Sequence, residues 1–200
     1  MLYALKTIFI SLFCTFLLLA CSIKPSPEQP ILSASDRLQR LNLLDEYRLT
    51  ASLGISSPDE SVSGSLHWQQ QHDDYQARMT HSFGMRLFSL NKAGGLITLT
   101  MQGEDYQASN VSQLMFALTG WNLPVDDMPL WLKGVAGSNA TAAEYDHVGR
   151  LIAFQLHDRD GMQWHIHYQE FFNDTLALPR RIKVQSDDIR IRLVIRNWQL

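Results

Sequence analysis

The residues from which catalytic or metal chemistry would be built are seven histidines, scattered serines and a few paired carboxylates. His165 and His167 share one face of an alternating stretch, a spacing that can chelate a metal from a strand. That face is opposite Trp164, Ile166 and Tyr168, so the pair is expected to point to solvent. No HExxH-type partner accompanies them. A nucleophilic serine needs glycines around it on a strand-to-helix elbow. Ser63-Gly64-Ser65 lies inside an alternating strand, and Gly137-Ser138-Asn139 sits in a loop with no helix after it. Asp126-Asp127 reads as a helix cap, Asp187-Asp188 as a turn, and no glycine-rich phosphate loop occurs. No catalytic residue, metal or cofactor is expected.

The remaining reactive side chain is Cys21. A single cation, Lys6, precedes an uncharged run from Thr7 to Ala20, 14 residues long. A bilayer span needs about 20 apolar residues, so the run reads as a signal peptide over residues 1–20. The cysteine directly after Leu18-Leu19-Ala20 resembles the bacterial lipobox. That resemblance implies cleavage before Cys21, diacylglycerol on its thiol and a further acyl chain on the new amino terminus. Ser22, not aspartate, stands next, which in lipobox proteins permits sorting to the outer membrane. An ordinary secretory signal with a chance cysteine is the alternative. Residues 21–33, rich in proline, read as a lipidated cysteine and a flexible tether.

Beyond residue 20 the chain holds 16 Lys and Arg against 20 Asp and Glu, which argues against nucleic acid. The only other cysteine, Cys14, falls in the signal, so no disulfide is expected and packing alone must stabilise the domain. Residues 34–200 are enough for one domain with a substantial core, expected to be a monomer.

The elements follow from periodicity. A short helix is predicted from Ser35, with Leu38, Leu41 and Leu44 on one face. From Glu46 the period becomes two: Tyr47, Leu49, Ala51 and Leu53, then Val62 to Trp68, then Tyr75, Ala77 and Met79. Turns are predicted at 57–60, 69–74, 91–95 and 103–105. Two helices interrupt, one from a Ser109 or Asn110 cap to Gly120 and one from Asp126-Asp127 to Gly134. Strands return at 142–145, 151–156, 162–168 and from Leu178-Pro179, with a turn at 158–161 between two of them. The last, Ile189 to Trp198, alternates most cleanly. The expected fold is mainly β: one curved antiparallel sheet of about ten strands, with helices packed against its concave side.

Five tryptophans and seven methionines exceed what a thin sheet needs. An aromatic core explains most of them. A cavity for elongated apolar ligands, left by a strongly curved sheet, is the sharper explanation.

Several pieces in fixed order resemble the outer-membrane lipoprotein receptor family LolB. They are Gly64-Ser65-Leu66-His67-Trp68-Gln69-Gln70, Phe83-Gly84, Gly120 with Leu123-Pro124, Leu130-Trp131-Leu132-Lys133-Gly134, Gly161-Met162-Gln163-Trp164 to Tyr168, Leu178-Pro179, and Ile189 to Trp198. They cover nearly all of the mature chain. Two departures stand out: Ser82 and Phe83 where the family usually has proline and leucine, and Val135-Ala136 where a proline usually follows. The first keeps an apolar tip.

The resemblance implies an open half-barrel of about ten or eleven strands, capped by about three helices around a hydrophobic cavity, and a receptor anchored through Cys21 on the periplasmic face of the outer membrane. It would accept acylated lipoproteins from the periplasmic carrier LolA and insert them into the inner leaflet, among outer-membrane phospholipid, without nucleotide. Strand parity proposes Leu66, Trp68, Met79, Leu99, Trp131 and Trp164 for the acyl-chain cavity. Phe83 and Gly84 form the expected membrane-insertion loop, Phe83 either projecting or folding back onto the core. A structural envelope lipoprotein and a sensor of small lipids are the alternatives.

Overall fold

Alternation at period two yields strand after strand, each with one apolar side to bury. The computed structural model describes residues 32–157 and 161–200. Strands β1 (Glu46–Ser56), β2 (Ser61–Gln71), β3 (Asp74–Thr80), β4 (Arg86–Ala93), β5 (Leu96–Met101) and β6 (Glu104–Ala108) run as an antiparallel meander. A second meander comprises β7 (Ala140–Tyr145), β8 (Leu151–His157), β9 (Gln163–Phe171), β10 (Pro179–Gln185) and β11 (Arg190–Gln199). β11 pairs with β1, joining both into one 11-stranded sheet whose edges, β6 and β7, do not meet. The sheet is therefore open, as the resemblance implies.

Several turns are tighter than expected. β2 runs on to Gln71 and β4 to Ala93, because Gln69, Gln70 and Asn91 are held in register by their neighbours. Backbone handedness, not polarity, sets the corners: Gly94 and Gly95 have φ of 56° and 84°, Gln102 and Gly103 of 54° and 88°. Such left-handed pairs make two-residue hairpin loops. β6 consequently starts at Glu104, inside the predicted turn. The predicted 158–161 turn lies largely outside the described residues.

β11 contains a device that parity alone misses. Ala51 faces Ile195 whereas Thr50 faces Asn197, so Arg196 is an extra, bulged residue. The bulge lets Trp198 face the same side as Ile191, Leu193 and Ile195 despite its even number. Its ring packs 5.4 Å from that of Tyr47, and its indole N–H donates to the Pro179 carbonyl at 3.1 Å.

Three helices complete the fold: α1 (Ala34–Leu43), α2 (Val111–Thr119) and α3 (Met128–Trp131). α1 begins one residue before the predicted Ser35, capped by the Ser33 hydroxyl, which accepts from Asp36 N–H. Its buried residues are Arg37 and Leu41, while Leu38 is exposed. α1 lies at one end of the sheet, not in its interior: Leu41 joins Val135 and Leu178 in a small cluster, and Ala34 abuts Gly149 of the β7–β8 turn. The β6-to-β7 connection must cross from one edge of the sheet to the other. It carries α2 and α3 over the inner face, where both pack into the main core with Trp68, Trp164, Ile166 and Leu193.

Candidate functional site

Leu53 and Ile55 of β1, Leu66 and Trp68 of β2 and Ala77 of β3 turn their side chains inward by parity. Above them lie Met115 of α2, Leu123, Pro124 and Val125 of the following loop, and Met128 and Trp131 of α3. Together with Phe88 and Ile191 they enclose a cavity of about 50 Å³ whose lining side chains are all apolar. Three of the six residues proposed from parity, Leu66, Trp68 and Trp131, line it. Met79, Leu99 and Trp164 are fully buried in the surrounding core and do not reach the lining. Met115 and Met128 are not among the residues proposed from the sequence, although Met115 lies one turn from the buried Val111 and is legible in the helical pattern.

The floor is rigid because its polar groups are satisfied. Trp68 stacks on Tyr75 with ring centroids 4.6 Å apart, and its indole N–H donates to the Gln70 side-chain carbonyl at 3.2 Å. Gln70 in turn donates to the His72 carbonyl. Burial raises the phenols of Tyr47, Tyr75 and Tyr168 well above their ordinary range, so all three stay neutral.

The two sides of the roof are held differently. α3 is pinned from both halves of the sheet: Tyr47 Oη donates to the Pro129 carbonyl at 3.1 Å, and Tyr168 Oη to the Trp131 carbonyl at 2.7 Å. The Trp131 indole donates to the Pro124 carbonyl at 3.2 Å. Just beyond, buried Lys133 donates to the Leu44 carbonyl at 2.8 Å, and burial lowers its ammonium pKa against the pull of Asp45. α2 carries its own caps instead. Asn110 Oδ1 accepts from Gln113 N–H, and Gly120, at φ 73°, closes the helix by donating to the Phe116 carbonyl. Its Ser112 hydroxyl reaches Leu123 O at 2.9 Å and Asp126 Oδ2 at 3.0 Å, partners within the same connection. Among the described residues, these side-chain hydrogen bonds of α2 thus stay within its own connection.

The β3–β4 loop lies at the end of the sheet that also carries the β1–β2 and β10–β11 turns. His81 N–H donates to the Met85 carbonyl and Gly84 N–H to the His81 carbonyl, and Gly84 takes φ 82°. This is a three-residue hairpin loop ending in a left-handed residue, which is why glycine stands there. Phe83 at its tip is 90% exposed and Met85 beside it 67%. Phe83 therefore projects; its ring touches only that of His81, at a centroid distance of 5.3 Å. Cys21 and Ser22 lie outside the described residues.

His165 and His167 sit on the outer face of β9, half-exposed and exposed. Among the described residues, no three His, Cys, Asp or Glu side chains gather as metal ligands would. No described helix is long and apolar enough to cross a membrane.

The family model described as "Outer membrane lipoprotein LolB" matches residues 45–198. Outer-membrane lipoprotein LolB of Marinobacter nauticus is 34% identical over 192 residues, covering 88% of each chain. The protein of that name from Aeromonas hydrophila is 30% identical over 193 residues and covers 95% of each. Among solved structures, a LolA superfamily protein from Nitrosomonas europaea superposes with a TM-score of 0.54 at 10% identity, covering 84% of this chain and 94% of its own. A DUF1329 family protein from Desulfovibrio piger gives 0.51 at 9%, covering 83% and 91%. At these identities the two structures speak for the fold alone.

Proposed function

Since the chain belongs to the LolB family of outer-membrane lipoproteins, we propose that it accepts acylated lipoproteins from a LolA-type carrier and delivers them to the inner leaflet of the outer membrane. The protein acts as a receptor and not as an enzyme. The observation that carries this reading is the all-apolar cavity between an open sheet and a helical roof.

Two or three acyl chains cannot cross water unaided. At about 0.8 kcal/mol per CH₂, exposing them costs tens of kcal/mol. A receptor must shelter them, yet hold them less firmly than a bilayer does. Transfer then runs downhill from carrier to receptor to membrane on differential affinity, with no nucleotide.

The resting cavity is far too small for this load. At about 10–15 Å³ of cavity per water-sized group, 50 Å³ takes roughly four, far fewer than the carbons of one acyl chain. Cargo therefore enters only when the roof lifts. α2 is the part that moves, since α3 stays pinned by Tyr47 and Tyr168 and its Trp131 indole holds Pro124 of the preceding loop. Trp68 and Trp131 would then flank the chains.

Phe83 serves release. An aromatic ring at the tip of a rigid hairpin enters a lipid surface, bringing the loaded cavity to the leaflet. Cys21, acylated after removal of residues 1–20, roots the receptor on the periplasmic face of the same membrane, with residues 21–33 as tether and 34–200 as the working domain. Ser22 permits that address, and the receptor works as a monomer.

The deciding experiment is transfer of a purified triacylated lipoprotein from LolA to the full-length protein, then to liposomes. Stoichiometric uptake followed by insertion is expected. A structural envelope lipoprotein would take up nothing. A small-lipid sensor would bind free fatty acid and leave the cargo on LolA. Either result overturns the proposal.

A further inference from the structure

The outer face of the sheet, opposite the cavity, carries two cross-strand rows of unusual composition. Register places Gln199, Arg48, Gln69, Gln76 and Asn91 side by side on β11, β1, β2, β3 and β4. The next row is Asn197, Thr50, His67, Arg78 and Ser89. These ten residues line a shallow hollow of about 500 Å³, a volume within the range of small-ligand sites. At about 4.8 Å per strand the rows extend roughly 19 Å across the sheet.

Two properties describe the hollow. None of the ten lining side chains is a carboxylate, although the whole chain is net −3. The nearest acids, Glu46 and Asp74, lie one row away and are engaged: Glu46 faces His72 at 3.3 Å, and Asp74 accepts from Gly94 N–H at 2.9 Å. The second property is that, among the described residues, none of the ten side chains has a hydrogen-bond or ion-pair partner. Elsewhere on the outer face, among the described residues, some polar neighbours bond to each other, as Ser61 to Ser56, Thr100 to Asp105 and Gln163 to Gln155 do, whereas Lys183 and Arg192, and Gln185 and Arg190, do not. Just outside the hollow, Arg196 is likewise engaged, donating to the Ala51 carbonyl and Ser65 Oγ. Gln69 and Gln76 stand opposite one another and do not bond.

We propose that this hollow is a binding site for an acidic saccharide. Arg48 and Arg78 present planar guanidinium forks to a carboxylate. Five carboxamides, each able to donate and accept, and the hydroxyls of Thr50 and Ser89 suit the hydroxyl groups of sugar rings. A surface for anionic lipid would be built from clustered cations beside side chains that insert; here amides and hydroxyls outnumber guanidiniums and no apolar side chain points outward among the two rows. The site lies on the far side of the sheet from the cavity, so it neither requires nor blocks cargo binding.

The test is calorimetric titration of the full-length protein in detergent with tri-galacturonic acid, neutral galactotriose and inorganic phosphate. The acidic trimer is expected to bind in a salt-sensitive manner, at least tenfold tighter than either other probe. R48Q/R78Q should weaken it at least tenfold without changing the melting temperature, since both arginines are exposed. Q69A/Q76A should weaken it while leaving weak phosphate binding unchanged. No binding, equal binding of the neutral trimer, or phosphate binding as tight as the acidic trimer would overturn the site. So would arginine-dependent sedimentation with phosphatidylglycerol vesicles in place of saccharide binding.

Discussion

Phe83 and Gly64 show how much one residue can decide. Phe83 has no core contact to lose, so its replacement should leave the fold intact and act on the membrane step alone. Phe83→Glu is expected to keep uptake of cargo from LolA while stalling insertion into liposomes, measured as the two separate transfers. Equal loss of both steps would show that the loop belongs to the fold or to the carrier interface. Gly64 acts by absence. A Cβ there would stand 2.2 Å from the Thr80 carbonyl oxygen, so β2 and β3 approach too closely for any side chain. Gly64→Ala should destabilise by about 1–3 kcal/mol, read from denaturant midpoints. The sequence marked Gly64 as part of a motif, but the reason for glycine is a contact with a strand sixteen residues on.

At the scale of elements, the roof is divided by hydrogen bonds. Tyr47→Phe removes the phenol donor to the Pro129 carbonyl, and Tyr168→Phe removes one of the two donors to the Trp131 carbonyl, the other being Gly134 N–H; each loss costs about 0.5–1.5 kcal/mol. For a domain of this size that is a fall of a few degrees in melting temperature. The double variant should also take up cargo less selectively in time, since the pinned half of the roof would lift with α2; stopped-flow uptake measures this. α1 is keyed to the β7–β8 turn by Arg37, whose guanidinium donates to the carbonyls of Val148 and Gly149. The turn itself depends on Asp146. Burial pushes the Asp146 carboxyl up, but hydrogen bonds from the Arg150 N–H, the Arg150 guanidinium and the Val148 N–H outweigh it and bring the pKa below the usual value. A depressed folded pKa stabilises above pH about 4 and is lost as pH falls through the lower folded value. Asp146→Asn should therefore melt below the wild type at neutral pH, with the gap narrowing as pH drops below about 4. The Arg37 role was hidden from the helical pattern, which favoured Leu38, because a buried guanidinium becomes acceptable only beside carbonyls from a distant turn.

At the scale of the molecule, the chain's entry into the domain and the Phe83 tip lie at opposite ends of the sheet. Leu32 N–H donates to the Thr175 carbonyl in the β9–β10 loop, at the end where β1 begins. Phe83 lies at the end where β1 stops. By strand rise and spacing the two are roughly 30 Å apart. Eleven steps from Cys21 to Leu32 reach at most about 36–40 Å. If anchor and loop share one leaflet, the tether has little to spare. Deleting four residues between 23 and 31 should slow insertion while sparing uptake, and a Gly-Ser insertion of equal length should restore it. The sequence by itself determined the strands, the capped helices and the family, because periodicity, caps and motifs are local and survive without a partner. The tertiary structure alone decided which inward side chains line the cavity, that Trp198 turns inward through the bulge at Arg196, that the resting interior is nearly full, and that two polar rows stand unpartnered on the outer face. Each of these depends on which strands become neighbours and on how closely they pack, and strand parity says only which side a residue takes.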